Sequence, residues 1–330
     1  MLTSMAVEDV NGDGFNDIIT TNSIGNSIII LLNSGDGTSY RQTVYPSPNG
    51  AGFLVAADIN NDKKVDFIVG NQFRNNIGLF LNNGDDTFKT ETIGTGAPAQ
   101  DVVVTDINED GRNDIIVVYS TNKVGVFSNN GDGTFTTGED VELTESRAIR
   151  VRAADMDKDS KSDIIVAHRS GSISILFNNG DNTFTNKMIF SKNTVQPQSF
   201  KIADMNNDGL IDIIFADYLE HYQIIFNRGN RIFADAITYN IPYKQNSLEV
   251  VDMNNDGIQD IVFTHSEAKS IGVAFNAGNG SLTYQLDTLD VSSIDTSVMT
   301  YATAADMNGD KKMEFILLGE QYIVMFSKTC

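Results

Sequence analysis

The chain has 330 residues, of which 41% are hydrophobic and 20% charged, a composition typical of globular proteins. Its 44 acidic and 23 basic residues give a net charge of −21. This balance disfavours nucleic acid as a partner and favours cations. No apolar run approaches the roughly 18 residues that a membrane helix needs. The N-terminus has no signal-peptide pattern, and the single cysteine, Cys330, excludes an internal disulfide.

A nine-residue acidic motif organises the chain. Its seven copies, called loops 1 to 7 here, start at Asp9, Asp58, Asp106, Asp155, Asp204, Asp252 and Asp306. A period of about 48 residues indicates an array of equivalent supersecondary units. We therefore predict a single β-propeller domain over residues 1–330, with repeats at about 1–50, 51–98, 99–146, 147–196, 197–244, 245–298 and 299–330.

Each repeat reads as four short strands. An apolar run precedes the acidic loop, and a second begins on its ninth position, as in Asp114-Ile-Ile-Val-Val. A third strand leads into an Asn- and Gly-rich turn such as Asn129–Phe135, and a fourth follows, as at Phe184–Phe190. Four strands per unit and no helical periodicity predict an all-β, seven-bladed propeller of four-stranded antiparallel blades. A β-solenoid is the alternative, but it would have shorter coils without tight hairpins.

The last repeat ends soon after its third strand, so we expect the last blade to lack its fourth strand and to expose an edge. The chain also enters its first repeat almost at once. We therefore expect the sequence to be a fragment of a longer protein, or to have a misplaced start.

The loops carry oxygen ligands at positions one, three, five and nine. Alternation points these side chains at one centre, and a backbone carbonyl near position seven plus a water would complete six or seven ligands. Such a set suits Ca²⁺ better than Mg²⁺, so we predict up to seven Ca²⁺ sites. The predicted metal ligands are Asp9, Asn11, Asp13, Asp17, Asp58, Asn60, Asp62, Asp66, Asp106, Asn108, Asp110, Asp114, Asp155, Asp157, Asp159, Asp163, Asp204, Asn206, Asp208, Asp212, Asp252, Asn254, Asp256, Asp260, Asp306, Asn308, Asp310 and Glu314.

The loops are not equivalent. Loops 1, 3, 5 and 6 have Gly at position six and should bind most tightly, whereas loops 2 and 7 contain Lys pairs and are the weakest candidates. Loop 4 has Ser160 at position six but gains Asp157, so we expect it to bind as well. The alternative is seven solvated acidic turns without metal. So many converging carboxylates would then repel one another.

The motif Asp-x-Asn-x-Asp-Gly-x-x-Asp before an apolar strand resembles the FG-GAP/VCBS repeat family, the integrin α-subunit-like β-propellers. The Asn-Asn-Gly-Asp-Gly-Thr-Phe135 turn resembles bacterial-type repeats of the same family. This resemblance covers nearly the whole chain and implies a calcium-binding propeller. The regular Phe-Gly and Gly-Ala-Pro signatures of integrins are missing, which weakens the implication of an integrin-like partner.

The loops between the second and third strands vary between repeats, and variable loops on a regular scaffold are common binding sites. The candidate ligand-binding residues there are Arg74, Tyr119, His168, Arg169, Asp217, Tyr218 and His265. No catalytic motif is present, so we predict no enzyme.

The predicted function is a calcium-stabilised binding or adhesion module for a protein or glycan ligand, located outside the cell or at its surface. The alternatives are a lectin or, less favoured, a polysaccharide lyase-like enzyme on the same scaffold.

Overall fold

The computed structural model describes residues 1–47, 51–70, 73–145, 147–191, 197, 199–216, 220–265, 270–287, 299–320 and 322–327. Within these residues the secondary structure consists of strands, turns and bends without helices. The strands form seven antiparallel sheets, which are the blades of a seven-bladed β-propeller. No helix in the described part of the chain is long and apolar enough to cross a membrane.

By its internal contacts the chain divides into two compact units. The first comprises residues 1–155, 159–194 and 307–309, and the second comprises 156–158, 195–306 and 310–330. The first unit contains the strands of blades 1 to 4, which are β1 (Leu2–Glu8), β2 (Asp17–Asn22), β3 (Ser27–Asn33), β4 (Tyr40–Pro46), β5 (Phe53–Ala57), β6 (Asp66–Gly70), β7 (Asn76–Asn82), β8 (Phe88–Gly94), β9 (Ala99–Thr105), β10 (Asp114–Tyr119), β11 (Lys123–Asn129), β12 (Phe135–Thr137), β13 (Val141–Glu142), β14 (Ala148–Ala154), β15 (Asp163–His168), β16 (Ile173–Asn178) and β17 (Phe184–Phe190).

The second unit contains the strands of blades 5 to 7. These are β18 (Ser199–Ala203), β19 (Asp212–Ala216), β20 (His221–Ile225), β21 (Ile237–Asn240), β22 (Ser247–Val251), β23 (Asp260–His265), β24 (Ser270–Asn276), β25 (Leu282–Asp287), β26 (Met299–Ala305), β27 (Glu314–Gly319) and β28 (Ile323–Ser327).

Strand order within each blade follows the chain, so that every blade is an antiparallel meander. In blade 3 the fourth strand is interrupted, and β12 and β13 both pair with β11. Among the described residues, the last blade has three strands, β26 to β28. The predicted fold class is confirmed, including the three-stranded last blade.

Within each unit, the hydrophobic core lies between neighbouring blades. In β10, Ile115 and Val117 belong to the cluster shared with blade 2. Ile116 and Val118 belong to the cluster shared with blade 4. Because successive side chains of a strand point to opposite faces, a strand covered on both sides needs an unbroken apolar run. This explains why the second strands are buried along almost their whole length and are mostly hydrophobic.

In blades 1, 3, 5 and 6, a polar side chain five residues before the acidic loop joins the first strand to the first strand of the next blade. Its oxygen accepts a hydrogen bond from a backbone N–H of that strand. Asp101 Oδ2 accepts from Val151 N at 3.0 Å, and Ser4 Oγ accepts from Leu54 N at 3.1 Å. In the second unit Ser199 Oγ accepts from Leu248 N at 3.0 Å and Ser247 Oγ from Ala302 N at 3.2 Å. These bonds add a polar link to the apolar contact between blades.

Candidate metal centres

Each acidic loop joins the first and second strands of its blade and has the same backbone path. Positions four and six have positive φ in all seven loops. At position six this conformation is free of strain for glycines such as Gly111, at φ 81°. Lys63, Ser160 and Lys311 adopt it as non-glycine residues, at φ 66°, 70° and 66°. A left-handed conformation costs such residues about 1 kcal/mol or more. The sequence indicated the turn at position six; position four was missed because its residue type varies.

The side chains at positions one, three and five fold over the backbone of the loop. In loop 1, Asp9 Oδ2 accepts from Gly14 N at 2.7 Å, and Asn11 Oδ1 accepts from Asp13 N at 2.9 Å. Asp13 Oδ1 accepts from Phe15 N at 3.0 Å. Loops 5 and 6 repeat all three bonds. In these three loops the alternating side chains therefore fold back over the same stretch of backbone.

Loop 4 shows how closely these oxygens approach one another. Asp155, Asp157 and Asp159 each offer a carboxylate oxygen, and these three atoms lie within 4.8 Å of one another. A set made only of carboxylate oxygens on a short, partly exposed loop is the chemistry that Ca²⁺ prefers. The residues present therefore fit the predicted cation.

The ninth position differs from the other three because its carboxylate is buried. In loop 3, Asp114 is 0% exposed; its Oδ2 accepts from Ile107 N at 3.1 Å and its Oδ1 from Asn129 N at 2.8 Å. The same two bonds form at Asp17, Asp66, Asp212 and Asp260. Each oxygen keeps a second lone pair. The ninth carboxylate thus anchors the loop to the third strand of its own blade.

Burial has an electrostatic consequence at the ninth position. It raises the pKa of Asp17 to about 6 and that of Asp212 to about 7. The backbone N–H donors oppose this rise, while the nearby carboxylates at positions one and five add to it. The pKa values of Asp66, Asp114 and Asp260 are raised for the same leading reason, burial. A cation among these carboxylates would relieve their repulsion.

The residue that donates to the ninth carboxylate is an Asn at the end of the third strand, and it also joins blades. Asn129 Nδ2 donates to Asn113 O of its own blade at 2.8 Å and to Ile59 O of the preceding loop at 2.5 Å. Asn82, Asn178 and Asn276 do the same with Val10 O, Ile107 O and Met205 O. We call these four residues, Asn82, Asn129, Asn178 and Asn276, the staple asparagines. From the sequence they were interpreted only as part of a turn. Their fixed distance after the ninth acidic position was the available signal.

The side chain at position seven lies over the glycine of the same Asn- and Gly-rich turn. A Cβ added to Gly131 would lie 2.9 Å from Arg112 Cδ, and one added to Gly278 would lie 2.9 Å from Ile258 Cδ1. The equivalent side chains of loops 1, 2, 4 and 5 are Phe15 over Gly35, Lys64 over Gly84, Lys161 over Gly180 and Leu210 over Gly229. Position seven thus holds either a basic or an apolar side chain in one common place.

At the opposite end of the blades, three predicted ligand-binding residues are buried. His168 and His265 are 0% exposed and Tyr119 is 2% exposed. His168 Nε2 lies 2.7 Å from Ser174 Oγ, and its Nδ1 has no hydrogen-bond partner among the described residues. His265 Nε2 lies 2.9 Å from Tyr284 Oη. Burial lowers the pKa of His168 to about 4, lowers that of His265, and raises that of Tyr119.

The other predicted ligand-binding residues have different positions. Arg74 and Arg169 are exposed, in the loops that follow β6 and β15. Asp217 and Tyr218 lie outside the described residues. Two exposed apolar side chains occur at this end of blades 1 and 2: Ile24 is 78% and Phe73 is 90% exposed. Ile24 was not among the predicted residues, because a single apolar residue in a loop forms no pattern in the sequence.

Together, the blades and their loops define a repeat β-propeller with an acidic, oxygen-rich loop between the first two strands of each blade. The chain belongs to the FG-GAP-like repeat family, whose model matches residues 9–69, 58–117, 106–166, 155–215, 204–263 and 252–317. The resemblance found in the sequence is confirmed. No curated protein matches this chain.

Solved structures share the fold at low sequence identity. One is a crystal structure of BBS1N in complex with ARL6DN, soaked with mercury, with a TM-score of 0.68 and 10% identity over 97% of this chain and 89% of that chain. A second structure of the same complex, soaked with lead, has a TM-score of 0.69 and 11% identity over 97% of this chain and 90% of that chain. At this identity the likeness shows the fold.

Proposed function

We propose that this chain is a non-enzymatic binding module that is stabilised by Ca²⁺ in its acidic loops and takes a protein ligand at the opposite end of its blades. The observation that carries the proposal is the contrast between these ends. At one end every loop repeats the same backbone path, and loops 1, 2, 3, 5 and 6 repeat the same two anchors of the ninth carboxylate. At the other, the loops differ and present Ile24, Phe73 and Arg74 to solvent.

A protein ligand suits these exposed side chains. Aromatic residues and Arg are enriched at protein interfaces, where they supply most of the binding energy. The fold neighbour BBS1N was crystallised in complex with a protein, ARL6DN, which supports a protein as the ligand class. A glycan is the second candidate, because an exposed aromatic ring beside polar groups also suits a sugar.

The histidines support a non-enzymatic role. Catalysis of sugar cleavage would require a base that reaches the substrate. His168 and His265 are instead buried against Ser174 and Tyr284 within their own blades. Their polar contacts and burial suit a structural role at the end of the second strand.

The donor set of the loops supports Ca²⁺ as the stabilising cation, since it consists of carboxylate and amide oxygens without His or Cys. We also propose that the chain works outside the cell or at its surface. Short, exposed loops of this kind suit the weak affinities of extracellular calcium modules, roughly 10⁻⁴ to 10⁻³ M.

The ligand proposal is tested by probing a protein array and a glycan array with the chain in millimolar Ca²⁺. The variants are Phe73→Ser and, as a matched control, Val44→Ser, which changes an apolar side chain 51% exposed on β4. We expect protein spots that lose most of their signal with Phe73→Ser and keep it with Val44→Ser. Signal only on glycans would favour the lectin alternative. Protein binding that is equal for both variants, or no binding on either array, would contradict the proposal.

A further inference from the structure

The fifth-position carboxylates of the acidic loops have two different kinds of partner. In loop 3, Arg112 Nη2 lies 2.5 Å from Asp110 Oδ2. In loops 2 and 4, Lys64 Nζ and Lys161 Nζ lie 3.2 Å and 2.9 Å from the same oxygen of Asp62 and Asp159. In all three loops the cation comes from position seven. A positive charge of the protein itself thus already contacts a predicted Ca²⁺ ligand.

Loops 1, 5 and 6 have an apolar residue at position seven, and the same carboxylate oxygen has a neutral partner. It accepts a hydrogen bond from the amide at position three, at 2.9 Å in each loop: Asn11 to Asp13, Asn206 to Asp208 and Asn254 to Asp256. Within the described residues, none of these three carboxylates forms an ion pair with a basic side chain. This amide carries no charge, so it would not repel a bound metal ion as a basic side chain would.

Loop 4 has a second built-in cation. Arg231 Nε lies 2.6 Å from Asp157 Oδ2, and the Asp157 side chain is 7% exposed. The extra carboxylate that the sequence suggested would strengthen this loop is therefore already neutralised by a guanidinium.

We propose that position seven selects which loops bind Ca²⁺: an apolar residue there leaves loops 1, 5 and 6 as the tight sites, whereas a basic residue acts as an internal counter-ion in loops 2, 3 and 4. This inference rests on the proposed calcium function and revises the expected order of affinities, because loop 3 moves from the tight group to the weak one. The physical reason is direct. A bound Ca²⁺ would have to displace the basic group from a ligand oxygen, or remain close to it and be repelled.

The common position of this side chain over the turn glycine permits a reciprocal test. Loops 3 and 6 both have Asn at position three and Gly at position six, and they differ at position seven, with Arg112 and Ile258. Arg112→Ile removes the counter-ion from loop 3, and Ile258→Arg introduces one into loop 6. Lys89→Gln, on the exposed fourth strand of blade 2, changes the net charge as much as Arg112→Ile does and touches neither loop.

Calcium binding to the chelator-stripped full chain is measured by isothermal titration calorimetry, and the bound ions are counted by native mass spectrometry. We expect three tight ions in the unmodified chain, four in Arg112→Ile, two in Ile258→Arg and three in Lys89→Gln. The affinity of the altered loop should change by about tenfold or more, because a unit charge about 4 Å from a divalent ion exceeds that effect even at the dielectric constant of water.

Several outcomes separate this inference from the proposed function. If both position-seven variants bind Ca²⁺ with the stoichiometry and affinity of the unmodified chain, the inference is overturned and the calcium proposal stays intact. Absence of binding in the unmodified chain would overturn both. Circular dichroism in EGTA checks that each variant is folded. If one variant fails to fold, the number of Ca²⁺ ions bound by the other variant still shows whether position seven affects calcium binding.

Discussion

At the residue scale, the ninth carboxylate of an acidic loop is anchored differently from the other three oxygen-bearing side chains. Asp114 is buried and accepts hydrogen bonds from two backbone N–H groups. The sequence, in which Asp and Asn alternate along the loop, gives no reason to separate this carboxylate from the others. Its second donor lies 15 residues further along, and the staple Asn129 reaches a carbonyl 70 residues away. Hydrogen bonds between residues this far apart in the sequence form only when the blades are assembled.

The staple asparagines should contribute more to stability than their neighbours in the same turn. Asn178→Ala removes the donors to Ile107 O and Ser162 O and the acceptor for Gly180 N. Because Ile107 O then loses a buried donor, the free energy of unfolding should fall by about 2–4 kcal/mol. The matched control is Asn179→Ala, whose amide bonds the exposed Thr183. Urea denaturation in excess Ca²⁺ measures both, and equal losses would contradict a stapling role.

His168 should make the chain sensitive to acid. Its pKa is about 4 in the folded chain, because burial disfavours the charged form, and about 6.5 when unfolded. Between these values the unfolded state binds more protons, so stability falls as the pH drops from about 6.5 to 4. The full contribution of this shift is about 3 kcal/mol.

The comparison is between the unmodified chain and His168→Gln, which lacks the titrating group. Carboxylates with raised pKa values, such as Asp17, act in the opposite direction in both proteins and cancel in the difference. From pH 7 to 4, the unmodified chain should lose about 3 kcal/mol of unfolding free energy relative to the variant. Parallel stability curves would show that His168 does not titrate in this way.

At the element scale, the strands were predictable because the pattern repeats. The second strand was identified by its position after the ninth acidic residue and by its apolar run. The role of its last residue was not predicted. His168 and His265 were interpreted as loop residues, but they end β15 and β23 in buried positions. Strands covered on both faces keep even their final side chain from solvent. In the sequence, a polar residue at the end of such a strand therefore looks like a surface residue, although it is buried.

A single truncation in such a strand should be costly. Ile116 on β10 is 0% exposed and belongs to the core between blades 3 and 4. Ile116→Ala should lower the free energy of unfolding by about 2–5 kcal/mol through lost burial and an unfilled cavity. Thr90→Ala on the exposed face of β8 is the control and should cost less than about 1 kcal/mol. Denaturation under identical conditions compares them, and similar costs would argue against a core between the blades.

At the scale of the whole molecule, net charge links the repeats to the proposed cation. Positions one, three, five and nine of the seven loops hold 22 of the 44 acidic residues. The fold itself could be predicted from the period, including the shortened last blade. The affinity order that we propose for the loops could not, because the ion pair between Arg231 and Asp157 joins residues 74 positions apart. Charge within one motif is therefore an incomplete guide to its affinity for a cation.

Removal of Ca²⁺ should destabilise the whole chain. Each loop filled at ten times its dissociation constant adds about 1.4 kcal/mol, and three such loops add about 4 kcal/mol, a large share of ordinary domain stability. We expect the melting temperature to fall by several degrees in EGTA and to recover with excess Ca²⁺, but not with equimolar Mg²⁺, which demands stricter octahedral geometry. Ionic strength is held constant, so that screening of the −21 net charge does not mimic binding. A melting temperature that is the same in EGTA and in millimolar Ca²⁺ would mean that the carboxylates are held by their backbone donors and internal cations alone.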